Sequence, residues 1–233
     1  MKLILIASLL ALTSCGGADF LVLAGDTAED QGNQDDGSDD RPTMPDADTS
    51  DASDTSTAVD VSPDMPTKTL KRVFVTSKAW TANLGGLAGA DGKCQTLAGT
   101  AKLSGIYKAW ISTAGNPIKD RASHGDFDYA LITGQIVARG WKELTSGNLL
   151  HPIDVTESGG SPPTVGSCDV GTSVVWTDTA ADGSEKGYDC GAWTYESTTI
   201  VGRVGLPSAV SSNWTDSCGR VCAMTASLYC MEQ

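Results

Sequence analysis

The sequence predicts an α+β domain with more strand and loop than helix, confined to the last two thirds of the chain. Three observations carry this. From residue 68 onward, short runs of β-branched and aromatic residues are separated by turn signals, a single stretch has helical periodicity, and six cysteines are spread through loop-rich sequence. The preceding residues have a different composition and are expected to stand apart from the fold.

The chain opens MKLILIASLLALTSC, a lysine followed by an apolar run too short to span a bilayer and then small residues. Residues 1–14 read as a secretory signal. Its ending, Leu12-Thr13-Ser14-Cys15, resembles the lipobox of bacterial lipoproteins. That resemblance implies cleavage before Cys15, a diacylglycerol on its thiol, and an acyl chain such as palmitate on its new amine. Several acyl chains on one residue make a stable membrane anchor. Gly16 stands where an aspartate would favour inner-membrane retention, so lipoprotein sorting implies the outer membrane, on either its periplasmic or its cell-surface side.

Residues 15–67 are expected to be an acidic, disordered tether. Apart from Phe20, Leu21, Val22 and Leu23 they offer little to bury, and burial is what offsets the entropy of ordering. Residues 16–67 hold 14 Asp or Glu against Arg41 alone, whereas residues 68–233 hold 15 against 14 Lys or Arg. The net charge of −13 therefore belongs to the tether. The folded domain is close to neutral, and nucleic acid is not among its expected partners. A flexible chain of this length reaches roughly 40 Å from its anchor.

Within 68–233 the strands are expected at RVFVTS from Arg72, YKAWIST from Tyr107, YALITG from Tyr129, IVARGW from Ile136, VVWT from Val174, IVGRVG from Ile200 and ASLYCM from Ala226. Turns fall at GNP, SGGSPP, ADGS and LPS. The helix is expected over Ala90–Ala101, with Cys94, Leu97, Ala98 and Ala101 on one buried face, entered through Gly85, Gly86 and Gly89. In the strand after it, Tyr107, Ala109 and Ile111 share one face and Trp110 takes the other.

Six cysteines in an exported domain, Cys94, Cys168, Cys190, Cys218, Cys222 and Cys230, predict disulfides, with fifteen connectivities open to counting alone. CGRVC lacks the spacing of a redox pair, and His124 and His151 lie far from the cysteines, so neither a thiol redox centre nor a metal site is expected.

The run GGLAGADGKCQTLAGTAKLSGIYKAWIST, the pair VWTDTAADGS and YDCGAW, and the closing CAMTASLYCME resemble endostatin, the C-terminal domain of the type XVIII and XV collagens. ITGQIVARGWKEL occupies the place of a strand with a tryptophan-led segment. Over Arg72–Gln233 the chain is most similar to the related bacterial family called domain of unknown function 1554, found in lipoproteins. The resemblance implies a C-type-lectin-like fold with its first and last strands adjacent. It also implies disulfides Cys94–Cys230 and Cys190–Cys222, leaving Cys168 with Cys218. Closing the longest loop would contribute about 4 to 5 kcal/mol in the chain-entropy picture.

Function transfers less readily. Endostatin's heparin site is an arginine cluster, whereas Arg72, Arg121, Arg139, Arg203 and Arg220 are dispersed, and the region matching its zinc histidines has none. Calcium-dependent lectins carry a Pro tripeptide that is missing here, although NWTD at Asn213–Asp216 is similar to their second element. Asn213, Asp216 and Glu196 are the candidate calcium ligands, set against ordinary turn-forming roles, and no cofactor is expected. Trp110, Trp141 and Trp176 are expected in the core. Trp193 and Trp214, in polar sequence near cysteines, are core residues or a ligand-binding surface. Without a catalytic motif, a non-enzymatic binding or adhesion role toward a protein or glycan is expected. A passive envelope module and a hydrolase built on His124 or His151 are the alternatives.

Overall fold

A computed structural model describes residues 68–166, 168 and 172–233. The signal peptide, Cys15 and the tether lie outside the described residues.

The described residues build an α+β unit around two sheets. In the larger, β1 (Thr69–Val75) pairs in parallel with β3 (Phe127–Leu131) and antiparallel with the last strand, β8 (Tyr229–Glu232). β2 (Tyr107–Ala109) and β4 (Ile136–Ala138) close its edges, giving the order β2-β8-β1-β3-β4. The smaller sheet runs β5-β6-β7, from β5 (Val175–Trp176), β6 (Val201–Gly205) and β7 (Cys218–Val221).

The larger sheet is buried on both sides, and strand alternation sorts its residues between two cores. Phe74, Tyr107, Ala109 and Cys230 face one, together with Trp176 and Trp193. Val73, Val75, Tyr129, Tyr229 and Met231 face the other, with Trp110 and Trp214. Helix α1 (Gly86–Thr100) covers the first face through Ala90, Cys94, Leu97 and Ala98, which recur at helical spacing. Cys94 reaches through this layer to Cys230 on β8, at a Cα separation of 5.4 Å.

The helix begins four residues before its expected start, because Gly85 and Gly86 take φ values of +82° and +73° and turn the chain directly into it. The strand at Tyr107 stops at Ala109, while Trp110 is buried on the opposite side as expected. Strand β7 occupies CGRV, sequence read above only for its cysteine spacing. Three four-residue helical turns are also additional: α2 (Ile118–Arg121), α3 (Trp141–Leu144) and α4 (Cys190–Trp193). None carries a periodicity long enough to read in advance.

The structure joins Cys94 to Cys230 and Cys190 to Cys222, as the resemblance implies, and Cys168 to Cys218, the pair left by exclusion. The Cys168–Cys218 bond ties the first residue of β7 to Cys168, and the Cys190–Cys222 bond ties α4 to the residue after β7.

Candidate binding site

Segment 187–193 is suspended from two aspartates. Asp178 is fully buried and accepts the backbone N–H groups of Tyr188 (2.7 Å) and Gly187 (3.2 Å). Burial pushes its carboxyl up to about 6, against the pull of those N–H bonds. Asp189 then accepts from Ala192 N–H (3.0 Å) and, on its other oxygen, from Ala114 N–H (3.3 Å).

Between them the chain makes one left-handed turn. Cys190, Gly191, Ala192 and Trp193 have φ of +50°, +66°, +54° and +62°. For the three residues bearing a Cβ this conformation costs roughly 1–2 kcal/mol each. It persists because its surroundings over-determine it. Cys190 is bonded to Cys222, Trp193 N–H donates to Asp189 O (2.7 Å), and Leu84 N–H donates to Trp193 O (2.9 Å). The Trp193 indole N–H donates to Ser112 O (2.7 Å), and its ring packs 5.7 Å from that of Trp176. Beneath the disulfide only glycine fits at position 202, since a Cβ there would lie 2.6 Å from Cys190 Sγ.

Over this rigid turn stand four large apolar side chains that the fold leaves in water: Tyr188 (52% exposed), Tyr195 (57%), Ile200 (47%) and Val201 (41%). Tyr188, Ile200 and Val201, with Asp189, Gly191 and Thr199, line a cleft of about 430 Å³. Tyr195 rests against Gly191, where a Cβ would be 3.3 Å from its own. Glu196 accepts the Thr81 hydroxyl and so links this segment to the chain beside Trp80. A second cleft, of about 460 Å³, lies there between the half-buried Trp80 and the Gly92, Lys93 and Thr96 side of α1. Lys93 Nζ lies 5.8 Å from the Trp80 ring and donates to Leu84 O at 3.0 Å.

Of the two roles open to Trp193 and Trp214, core or ligand surface, the structure gives them the core. Trp193 and Trp214 are both fully buried, the first clamped as described and the second packed against Trp110 (4.9 Å) and Tyr229 (5.5 Å). Both sit in polar sequence because single large residues of loops are the ones that plug the core. Trp141, expected in the core, is half-buried instead and stacks at 3.8 Å on His124.

The three candidate calcium ligands have other occupations. Asp216 forms ion pairs with Arg203 and, at 3.2 Å, with Lys186. Glu196 is on Thr81, and Asn213 is exposed with its backbone carbonyl accepting from Leu206 N–H. Among the described residues no three His, Cys, Asp or Glu side chains gather as a metal site would require. His151 Nδ1–H donates to Pro152 O at 2.9 Å, and no hydrogen bond joins either histidine to a carboxylate among the described residues.

Sequence reading missed Tyr188, Tyr195, Ile200, Val201 and the buried Asp178. The available signal was the density of large apolar residues in YDCGAWTYESTTIV, which fits neither a strand nor a helix period. No family model matches this chain, and no curated protein matches it.

Proposed function

We propose that this protein is a lipid-anchored envelope lipoprotein whose domain binds a protein partner through the Tyr188–Tyr195–Ile200–Val201 face. Cys15 carries the acyl anchor, residues 16–67 are the acidic tether, and residues 68–233 are an endostatin-like, C-type-lectin-like module. The fold reading is supported by the adjacency of the first and last strands and by the Cys94–Cys230 and Cys190–Cys222 pairs.

One observation carries the binding role: four half-exposed apolar side chains, two of them tyrosines, stand beside the Cys190–Trp193 turn, whose backbone is held in a costly conformation. Tyrosines give large contact area at low entropic cost and are enriched in binding hot spots, and a rigid base removes the ordering penalty on association. The neutral domain and apolar rim favour a protein surface over a highly charged polymer.

The test is a paired comparison on the full-length anchored chain. Replacing Tyr188 and Tyr195 together by Ser is expected to abolish co-purification of one discrete envelope protein and to leave the three disulfides intact. Co-purification unchanged by the double substitution would overturn the reading.

A further inference from the structure

At one end of the larger sheet, on the face that α1 covers, three polar side chains continue the rows of the core. Arg72 follows Phe74 on β1 and Glu232 follows Cys230 on β8, while Tyr107 on β2 stands directly opposite Glu232. Arg72 and Glu232 open onto a cavity of about 290 Å³, where with Ser104 they form the polar wall and Leu70, Ala130 and Ile132 the apolar one.

The charges here are poorly spent. Arg72 N–H donates to Glu232 Oε2 at 2.9 Å, but the Arg72 guanidinium has only a long bond of 3.4 Å to the Ser104 hydroxyl. Among the described residues no carboxylate lies within ion-pairing distance of that guanidinium, and Glu232 Oε1 accepts no hydrogen bond. Behind them the Tyr107 hydroxyl is buried without a hydrogen-bond partner, although the residue is only 1% exposed. Burial first, and then the charge of Glu232, push the pKa of the Tyr107 hydroxyl up, with Arg72 opposing, so the hydroxyl feels both charges.

We propose that this cavity binds a small aliphatic α-amino acid as its zwitterion, carboxylate on Arg72 and Ser104, ammonium on Glu232, and side chain on Leu70 and Ile132. A simple anion would face Glu232 and a simple cation would face Arg72, whereas a zwitterion satisfies both. Forked guanidinium bonds to a carboxylate are among the stronger polar contacts a protein makes. The volume lies at the small end for ligand pockets and excludes most larger metabolites. The site is separate from the tyrosine face and does not depend on it.

The experiment is calorimetric titration of the full chain with L-leucine, N-acetyl-leucine and isopentylamine, repeated on Glu232→Gln and Arg72→Leu. Glu232→Gln keeps an acceptor for the Arg72 N–H, so its fold is preserved, and unchanged denaturation curves check both variants. L-Leucine is expected to bind the parent chain, with N-acetyl-leucine, isopentylamine and both variants at least about tenfold weaker. No heat with L-leucine at millimolar concentration would overturn the proposal. Equal binding of L-leucine and N-acetyl-leucine would overturn it too, since that describes a plain carboxylate site.

Discussion

Asp178 shows how a single residue can make stability depend on pH in the less familiar direction. Its carboxyl is raised from 3.8 to about 6 in the fold by burial. The folded state therefore holds the proton more tightly than the unfolded chain, and stability is highest below about pH 4 as far as this group is concerned. It falls as pH rises toward and through 6, by ~3 kcal/mol in all. Asp178→Asn should flatten that part of the pH profile, as read by urea unfolding between pH 4 and 7. An unchanged slope would show that another group sets it. Gly205 is a second case, steric rather than electrostatic. A Cβ there would stand 2.0 Å from the carbonyl oxygen of Trp214, which is backbone and cannot swing aside. Gly205→Ala is expected to cost more than about 3 kcal/mol, or to prevent folding, in the same assay.

At the scale of elements, α1 is held to the sheet by more than its apolar face. Asp91 accepts Ala109 N–H at 2.9 Å and takes both oxygens to Arg121, whose other amine donates to Ile111 O at 2.7 Å. The Cys94–Cys230 bond spans 136 residues, so cutting it by Cys94→Ala with Cys230→Ala should lower stability by about 5 kcal/mol. Equilibrium unfolding under non-reducing conditions measures this, and a loss below about 1 kcal/mol would show that the helix docks without it. This helix was legible in the sequence because Cys94, Leu97 and Ala98 keep a 3.6 period, and the main strands because hydrophobic runs end at turn signals. What escaped were elements without a period. Strand β7 contains a glycine and the buried Arg220, whose guanidinium bonds the carbonyls of Val165 and Gly166, so no apolar alternation marks it. The left-handed turn at Cys190–Trp193 escaped for a different reason. Its conformation is imposed by the disulfide, by Asp189 and by Ser112, and local propensity opposes it. The same contacts draw Trp193 inward, which is why the aromatic surface forms from its neighbours Tyr188 and Tyr195 instead.

For the whole molecule, division of labour follows composition. The net negative charge resides in residues 16–67, outside the described structure, while residues 68–233 are nearly neutral and stapled three times. On the proposed reading a nearly neutral domain meets a protein partner through shape and apolar contact with little electrostatic steering, so salt should change its association only weakly. The most direct measurement is hydroxyl-radical footprinting of the full-length chain on intact envelopes, compared with the same chain released in detergent. Tyr188 and Tyr195 are half-exposed, whereas Tyr107 and Tyr229 are buried and serve as internal standards. Oxidation of Tyr188 and Tyr195 is expected to fall several-fold on the envelope while the buried tyrosines stay unreactive in both states. Equal oxidation of Tyr188 and Tyr195 in the two preparations would contradict it, because the face assigned to a partner would then be open where the partner resides.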